Sequence, residues 1–184
     1  MNNLFSDFST RVDWEKDGVE FNWEGSEGPI FRCRIARNGG SNNRTEKLRE
    51  KLFAPLRRMR DPSDEIVHKI SMRICAEGCA LPGSWQFYLR EGMRFEDKTF
   101  CNGQWQRDVE GSLQPCDPPA ACKGVEDGWI KGIEIEPDVI VPDTADNVEK
   151  VFQKLPELYS HISAFASNVN NYRDTQLEED SKNS

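Results

Sequence analysis

The stretch Phe31-Arg32-Cys33-Arg34-Ile35-Ala36-Arg37 alternates apolar and basic side chains as far as Ile35, continues with Ala36-Arg37 and stops at Asn38-Gly39-Gly40. Successive side chains of a strand point to opposite faces, so this pattern predicts a half-buried strand with an apolar inner face and a solvated arginine face. Upstream, Val12, Trp14, Val19, Phe21 and Trp23 alternate more loosely around Lys16-Asp17-Gly18. Asp-Gly between alternating segments is a hairpin signal. Residues 12–37 are therefore expected to be strands of a small N-terminal antiparallel sheet.

Downstream the apolar period becomes helical. Leu48, Leu52, Leu56 and Met59 line one face of a segment from about Thr45 to Met59, with Arg and Lys over the rest. Pro55 should kink or split it. Asp61-Pro62-Ser63-Asp64 reads as the next helix start, with Asp61 as cap and Pro62 in the first turn. Ile66, Val67, Ile70, Ile74 and Cys75 then form an apolar stripe that stops near Gly78, so residues 45–79 are expected to be a helical pair.

Residues 86–124 mix Gly, Pro and Asp with Phe95, Phe100 and Trp105. They read as a loop-rich insertion, with room for short strands at 86–90 and 94–101, that closes back at Gly128-Trp129. Residues 144–177 return to helical spacing. Pro142-Asp143-Thr144 caps a helix whose Val148, Val151, Phe152 and Leu155 face inward, and Pro156 starts another. There Leu158, Ile162, Phe165, Val169 and Tyr172 recur as the seam of an amphipathic helix. The tail from Thr175 to Ser184 is polar and acidic and is expected to fray. The expected whole is one α+β domain over residues 1–184.

Composition excludes several classes. The 184 residues are 30% charged and 36% hydrophobic, with a mean hydropathy of −0.73, yet ten Phe, five Trp and three Tyr suffice to build a core. No stretch approaches the roughly 20 apolar residues of a membrane span. Met1-Asn2-Asn3-Leu4 lacks the basic and apolar regions of a secretory signal, so a cytosolic protein is expected. The six cysteines, Cys33, Cys75, Cys79, Cys101, Cys116 and Cys122, lack the paired spacing of a structural zinc site, and free thiols are the expectation. There is no phosphate loop, dinucleotide fingerprint or nucleophile elbow, and His68 and His161 are the two histidines. No enzyme, cofactor or metal is expected.

Charge is distributed unevenly. Residues 31–60 carry ten basic and two acidic side chains, whereas residues 1–30 carry two and seven and residues 125–184 five and thirteen. Such a block either binds an anionic partner or is neutralised by its own flanks, and the second is the expectation. Its candidate basic face is Arg32, Arg34 and Arg37 on the strand, continued by Arg44, Lys47, Arg49, Lys51, Arg57, Arg58 and Arg60 on the helix. A nucleic-acid-binding accessory protein is the alternative reading of this face. The sequence pI near 4.9 and the absence of a reader motif oppose it.

Trp23-Glu24-Gly25-Ser26, the strand ending at Arg37, the turn Gly39-Gly40-Ser41-Asn42 and the basic helix after it form a recurring kind of pattern. So do Gly128-Trp129, the run Ile140 to Asn147, Leu155-Pro156-Glu157-Leu158-Tyr159 with Ile162, and Tyr172-Arg173 with the ending Lys182-Asn183-Ser184. Together they resemble the small tail assembly chaperones of long-tailed, siphovirus-type bacteriophages, over residues 12–80 and 125–184. Residues 86–124 depart from that pattern. The resemblance implies a non-enzymatic protein of the host cytoplasm that keeps the tape measure protein soluble and helps recruit tail tube subunits. The implied partners are tape measure and tail tube proteins, with self-association allowed and no membrane. A helix offering Leu158, Ile162, Phe165, Val169 and Tyr172 could cover an apolar seam of such a partner, or the stripe could pack on the protein's own core.

Overall fold

Two sheets and a helical layer share one core in the computed structural model, which describes residues 9–59 and 61–173. The fold is α+β. Arg60, the tail from Thr175 and the ending Lys182-Asn183-Ser184 lie outside the described residues.

The first sheet grows from β1 (Val19–Gly25) and β2 (Gly28–Ile35), an antiparallel pair turning through Ser26-Glu27. Along β2 the apolar members of the alternation, Phe31, Cys33 and Ile35, are buried as their spacing requires. The segment before β1 is not a strand. Val12–Asp17 forms a short helix, α1, and the hairpin turn lies at Gly25–Gly28 rather than at Lys16-Asp17-Gly18. The inward side chain of this segment is Glu15, at 1% exposure, whereas Val12 is exposed. A buried carboxylate overrides the apolar alternation, and Gly18 at φ 76° ends the helix.

Helix α2 (Asn43–Phe53) gives way to a 3-10 turn over Ala54–Arg58 at Pro55, so the proline splits the segment. Helix α3 (Asp64–Ile74) is capped by Ser63, whose Oγ accepts from the Ile66 N–H, and not by Asp61. It runs into a π-helical turn, Cys75–Cys79, where the Ala80 N–H donates to the Cys75 carbonyl at 2.8 Å.

The stretch 86–124 carries short strands within the expected 86–90 and 94–101, and further strands beyond them. Strand β3 (Gln86–Tyr88) continues the first sheet, and a meander follows: β4 (Arg94–Phe95), β5 (Lys98–Cys101), β6 (Gln104–Val109) and β7 (Ser112–Pro115). Left-handed residues set its tight turns, at Glu96, at Asn102-Gly103 and at Glu110-Gly111. The chain returns as β8 (Trp129–Lys131), which pairs with β3, so the two ends of the excursion meet in one sheet. Strands β9 (Ile133–Glu136) and β10 (Val139–Val141), absent from the sequence reading, then join the meander. The sheet orders are β1-β2-β3-β8 and β7-β6-β5-β4-β10-β9, with β4 and β10 parallel.

Helices α4 (Ala145–Lys154) and α5 (Pro156–Ser167) close the layer, capped by Thr144 and opened by Pro156 as the sequence indicates. Arg73 on α3 pairs with Glu149 at 3.0 Å and with Asp146, fixing α4 against α3. The expected amphipathic helix is shorter than its seam, because α5 ends at Ser167 and Val169–Tyr172 is a 3-10 turn.

Between β8 and β9 the chain bends at Gly132, whose φ is 141° and whose N–H donates to the Trp85 carbonyl. A Cβ there would lie 2.5 Å from the Val141 carbonyl oxygen. Gly132→Ala should therefore lower the free energy of unfolding by roughly 2 kcal/mol or more, measured as a shifted urea midpoint at unchanged slope.

Candidate functional site

Where the first sheet meets the α4–α5 junction, an apolar groove of about 600 Å³ stays open. Its sheet side is Trp23, Ile30, Phe31, Trp85 and Phe87. Its helix side is Val151, Leu155 and Leu158, with Ile133 at the end. The aromatic wall is ordered by ring contacts. Phe31 stacks on Trp85 at 5.2 Å and on Phe87 at 5.4 Å, and Trp23 lies nearly parallel to Phe31 at 6.3 Å. Leu155 sits between the helices with backbone angles of −126° and 75°, which turns its side chain outward to 53% exposure. A second hollow of about 350 Å³ shares Glu134, Val151, Lys154 and Leu155 and carries the groove on to Pro137.

The rim is mainly acidic. Glu134 accepts from Arg90 and from the Asp138 N–H, and the Lys154 ammonium donates to the Ile135 carbonyl at 2.9 Å, close to Glu136. The Glu157 carboxylate makes no hydrogen bond or ion pair with any described residue. Beneath the groove, Trp85 is fully buried and its indole N–H has no acceptor among the described residues. Its backbone N–H donates to Asp143, and burial pushes the Asp143 carboxyl above its usual range against the pull of that bond.

The structure divides the five candidate partner residues. Leu158 lines the groove. Ile162 and Tyr172 are fully buried, and the Tyr172 hydroxyl donates to the Ile35 carbonyl at 3.3 Å, so neither is free to meet a partner. Phe165 is half-buried, edge-on to Phe21 at 5.1 Å, and Val169 is half-buried in the 3-10 turn. Most of the seam therefore packs on the protein's own fold. The groove residues missed by the sequence reading come from separate stretches, and only the pairing of β2 with β3 brings Ile30, Phe31 and Phe87 onto one wall.

The candidate basic face also divides. Arg32 lies flat over Trp129 at 4.3 Å, donates twice to Gln86 and pairs with Glu126 at 3.1 Å. Arg34 is exposed and donates to the Gly18 carbonyl at 2.8 Å. Arg37 pairs with buried Glu15. The strand arginines are thus held by the fold rather than solvated as one face. On α2, Arg44 donates to the Lys16 carbonyl, whereas Lys47 and Lys51 are exposed and form no ion pair among the described residues.

Three of the six free cysteines, Cys33, Cys75 and Cys79, are buried together. Burial pushes the Cys33 thiol well above its usual range, and a hydrogen bond with Cys79 together with burial does the same for Cys75. Among the described residues, no group of three or more His, Cys, Asp or Glu side chains is placed to hold a metal ion. No helix among them is long and apolar enough to cross a membrane.

Glu15 is the most strongly perturbed carboxylate near the basic block. Burial alone would raise its pKa, but bonds from Thr10, the Ser41 N–H and Arg37 outweigh it and hold the value at about 2, down from 4.5. A lowered carboxylate pKa contributes stability above pH 4.5 that is lost as pH falls from 4.5 towards 2. The shift corresponds to about 3 kcal/mol. Glu15→Gln should lose much of that at neutral pH and show a flatter acid limb in denaturant titrations.

Compared with family models, curated proteins and solved structures, the chain gives no match.

Proposed function

We propose that this protein is a tail assembly chaperone of a long-tailed bacteriophage or prophage. It is non-enzymatic and acts in the host cytoplasm, holding the tape measure protein soluble and helping to recruit tail tube subunits. The observation that carries the reading is the open apolar groove between the first sheet and the α4–α5 junction, with Leu155 and Leu158 on one wall and the aromatic ladder on the other. It joins the resemblance of residues 12–80 and 125–184 to that family.

A tape measure protein is a long helical chain with apolar seams, and such seams aggregate when exposed to water. A groove lined by aliphatic and aromatic side chains accepts the apolar face of one helix, with its residues at positions i, i+3, i+4 and i+7 entering in turn. The rim selects the flanks of that helix. Glu134 is paired with Arg90 and Glu136 faces Lys154, which leaves the Glu157 carboxylate without an ion pair among the described residues, so the rim favours a Lys or Arg beside the seam. The net charge of −8 keeps a loaded complex dispersed.

Co-expression with the long helical protein encoded downstream tests the reading. The partner should move to the soluble fraction and co-purify. Leu155→Asp, at an already exposed position, should leave folding intact and weaken the complex by about tenfold or more. A partner that stays insoluble, or one rescued equally well by Leu155→Asp, would overturn the proposal.

A further inference from the structure

Helix α5 has a second cleft on its other side. At 100° per residue, Leu158 and His161 face the apolar groove, while Tyr159 and Ser163 point roughly opposite. There a cleft of about 420 Å³ opens between α5, α3 and the end of α2. Arg49 and Arg57 stand in its wall with Glu50, and Phe53 and Ile74 supply its apolar lining. Asn38, Ser71, Tyr159 and Ser163 add polar atoms.

The two arginines are underused by the fold. The Arg57 side chain makes no hydrogen bond or ion pair among the described residues, and the Arg49 side chain makes one bond, to the Asn38 side-chain oxygen at 3.2 Å. Lys47, Lys51 and Arg58 continue the positive surface along the same segment, likewise without ion pairs among the described residues, against Glu46 and Glu50. The half of the basic block that lies on the helix therefore keeps an unbalanced charge beside a concave, partly apolar site.

We propose that this cleft binds an acidic peptide segment of a partner protein, with carboxylates on Arg49 and Arg57 and an apolar side chain against Phe53 and Ile74. A guanidinium fork matches a carboxylate in two parallel hydrogen bonds. The volume suits a few side chains rather than a duplex. Surfaces that bind single-stranded nucleic acid present free aromatic faces beside their charges. Here Phe53 is half-buried, and the Tyr159 ring is engaged by His68 at 5.5 Å and Phe152 at 5.6 Å. The acidic remainder of the chain also repels a long polyanion, whereas a short peptide meets only the local field. The inference is independent of the apolar groove and stands or falls apart from it.

Fluorescence anisotropy on the full chain decides it, with three labelled probes: the peptide acetyl-Glu-Glu-Leu-Glu-Glu, its Gln counterpart and a short oligothymidylate. The acidic peptide should bind saturably, and its Gln counterpart about tenfold more weakly or worse. The double variant Arg49→Ala/Arg57→Ala, altered at exposed positions, should lose about tenfold in affinity at an unchanged thermal transition. Lys47→Ala/Lys51→Ala, on the same helix but outside the cleft, should change affinity by less than about threefold. Tighter binding of the oligothymidylate would make this a polyanion surface and overturn the proposal. So would an absence of saturable peptide binding, or an equal loss in the two double variants.

Discussion

The carboxylate of Glu15 is the constraint on which the first half of the structure depends. A carboxylate at 1% exposure is tolerable only if its lone pairs are satisfied, and here Thr10, Arg37 and the Ser41 N–H all donate to it. Each donor belongs to a different piece of chain, so one side chain ties the N-terminal segment, the end of β2 and the entrance to α2. The backbone repeats the tie, with the Arg37 N–H donating to the Glu15 carbonyl at 3.0 Å. Gly40 makes the approach feasible, because a Cβ at that residue would sit 2.7 Å from the Arg37 guanidinium and 2.8 Å from the carboxylate. Asn42 extends the network inward. Its amide donates to the Arg37 and Gly78 carbonyls, while its oxygen accepts from the Arg44 N–H.

This network explains why the run from Arg37 to Asn42 carries the residues it does. The terminal arginine of the alternating strand completes a buried ion pair, the glycines clear space for it, and the asparagine caps α2 while reaching the π-helical turn. The run from Arg37 to Asn42 is thus a packing device. It fixes where the basic helix leaves the sheet, and through Gly78 it fixes the helical layer that carries both clefts. Gly78 is part of the same fit, since a Cβ there would meet the Thr45 methyl at 2.8 Å.

What the sequence made legible was local. The apolar members of the alternation at Phe31–Ile35, the break at Pro55, the Thr144 cap and Pro156 each act within a few residues, and each has its expected consequence. The failures lie where distant contacts decide. Val12 and Trp14 have the spacing of strand residues, and nothing local marks Glu15, next to Trp14, as the buried side chain. Strands β6 and β7 lie beyond the strand read at 94–101 although Asn102-Gly103 is a strong hairpin signal, because they are short and their apolar content is sparse. Ile133-Glu134-Ile135-Glu136 alternates cleanly, but it was not read as a strand. The seam on α5 was read correctly as apolar and wrongly as available, since periodicity identifies a buried face without saying what buries it.

The excursion at residues 86–124 bears directly on the groove. Its first strand, β3, supplies Phe87 to the aromatic wall, and the turn before it supplies Trp85. Its return through β8 leads into β9, whose Ile133 and Glu134 close the far end. The stretch thus adds Phe87 to a sheet wall otherwise made by Trp23, Ile30, Phe31 and Trp85, while Leu155-Pro156-Glu157-Leu158 lines the helix side. β3 and β8 pair at the base of the excursion, and β4 ties the meander beyond them to β10. The exposed edge strand β7 and the outward Val109 and Leu113 lie at that far end. The physical division is between a base fixed by the groove and a tip that the groove does not constrain.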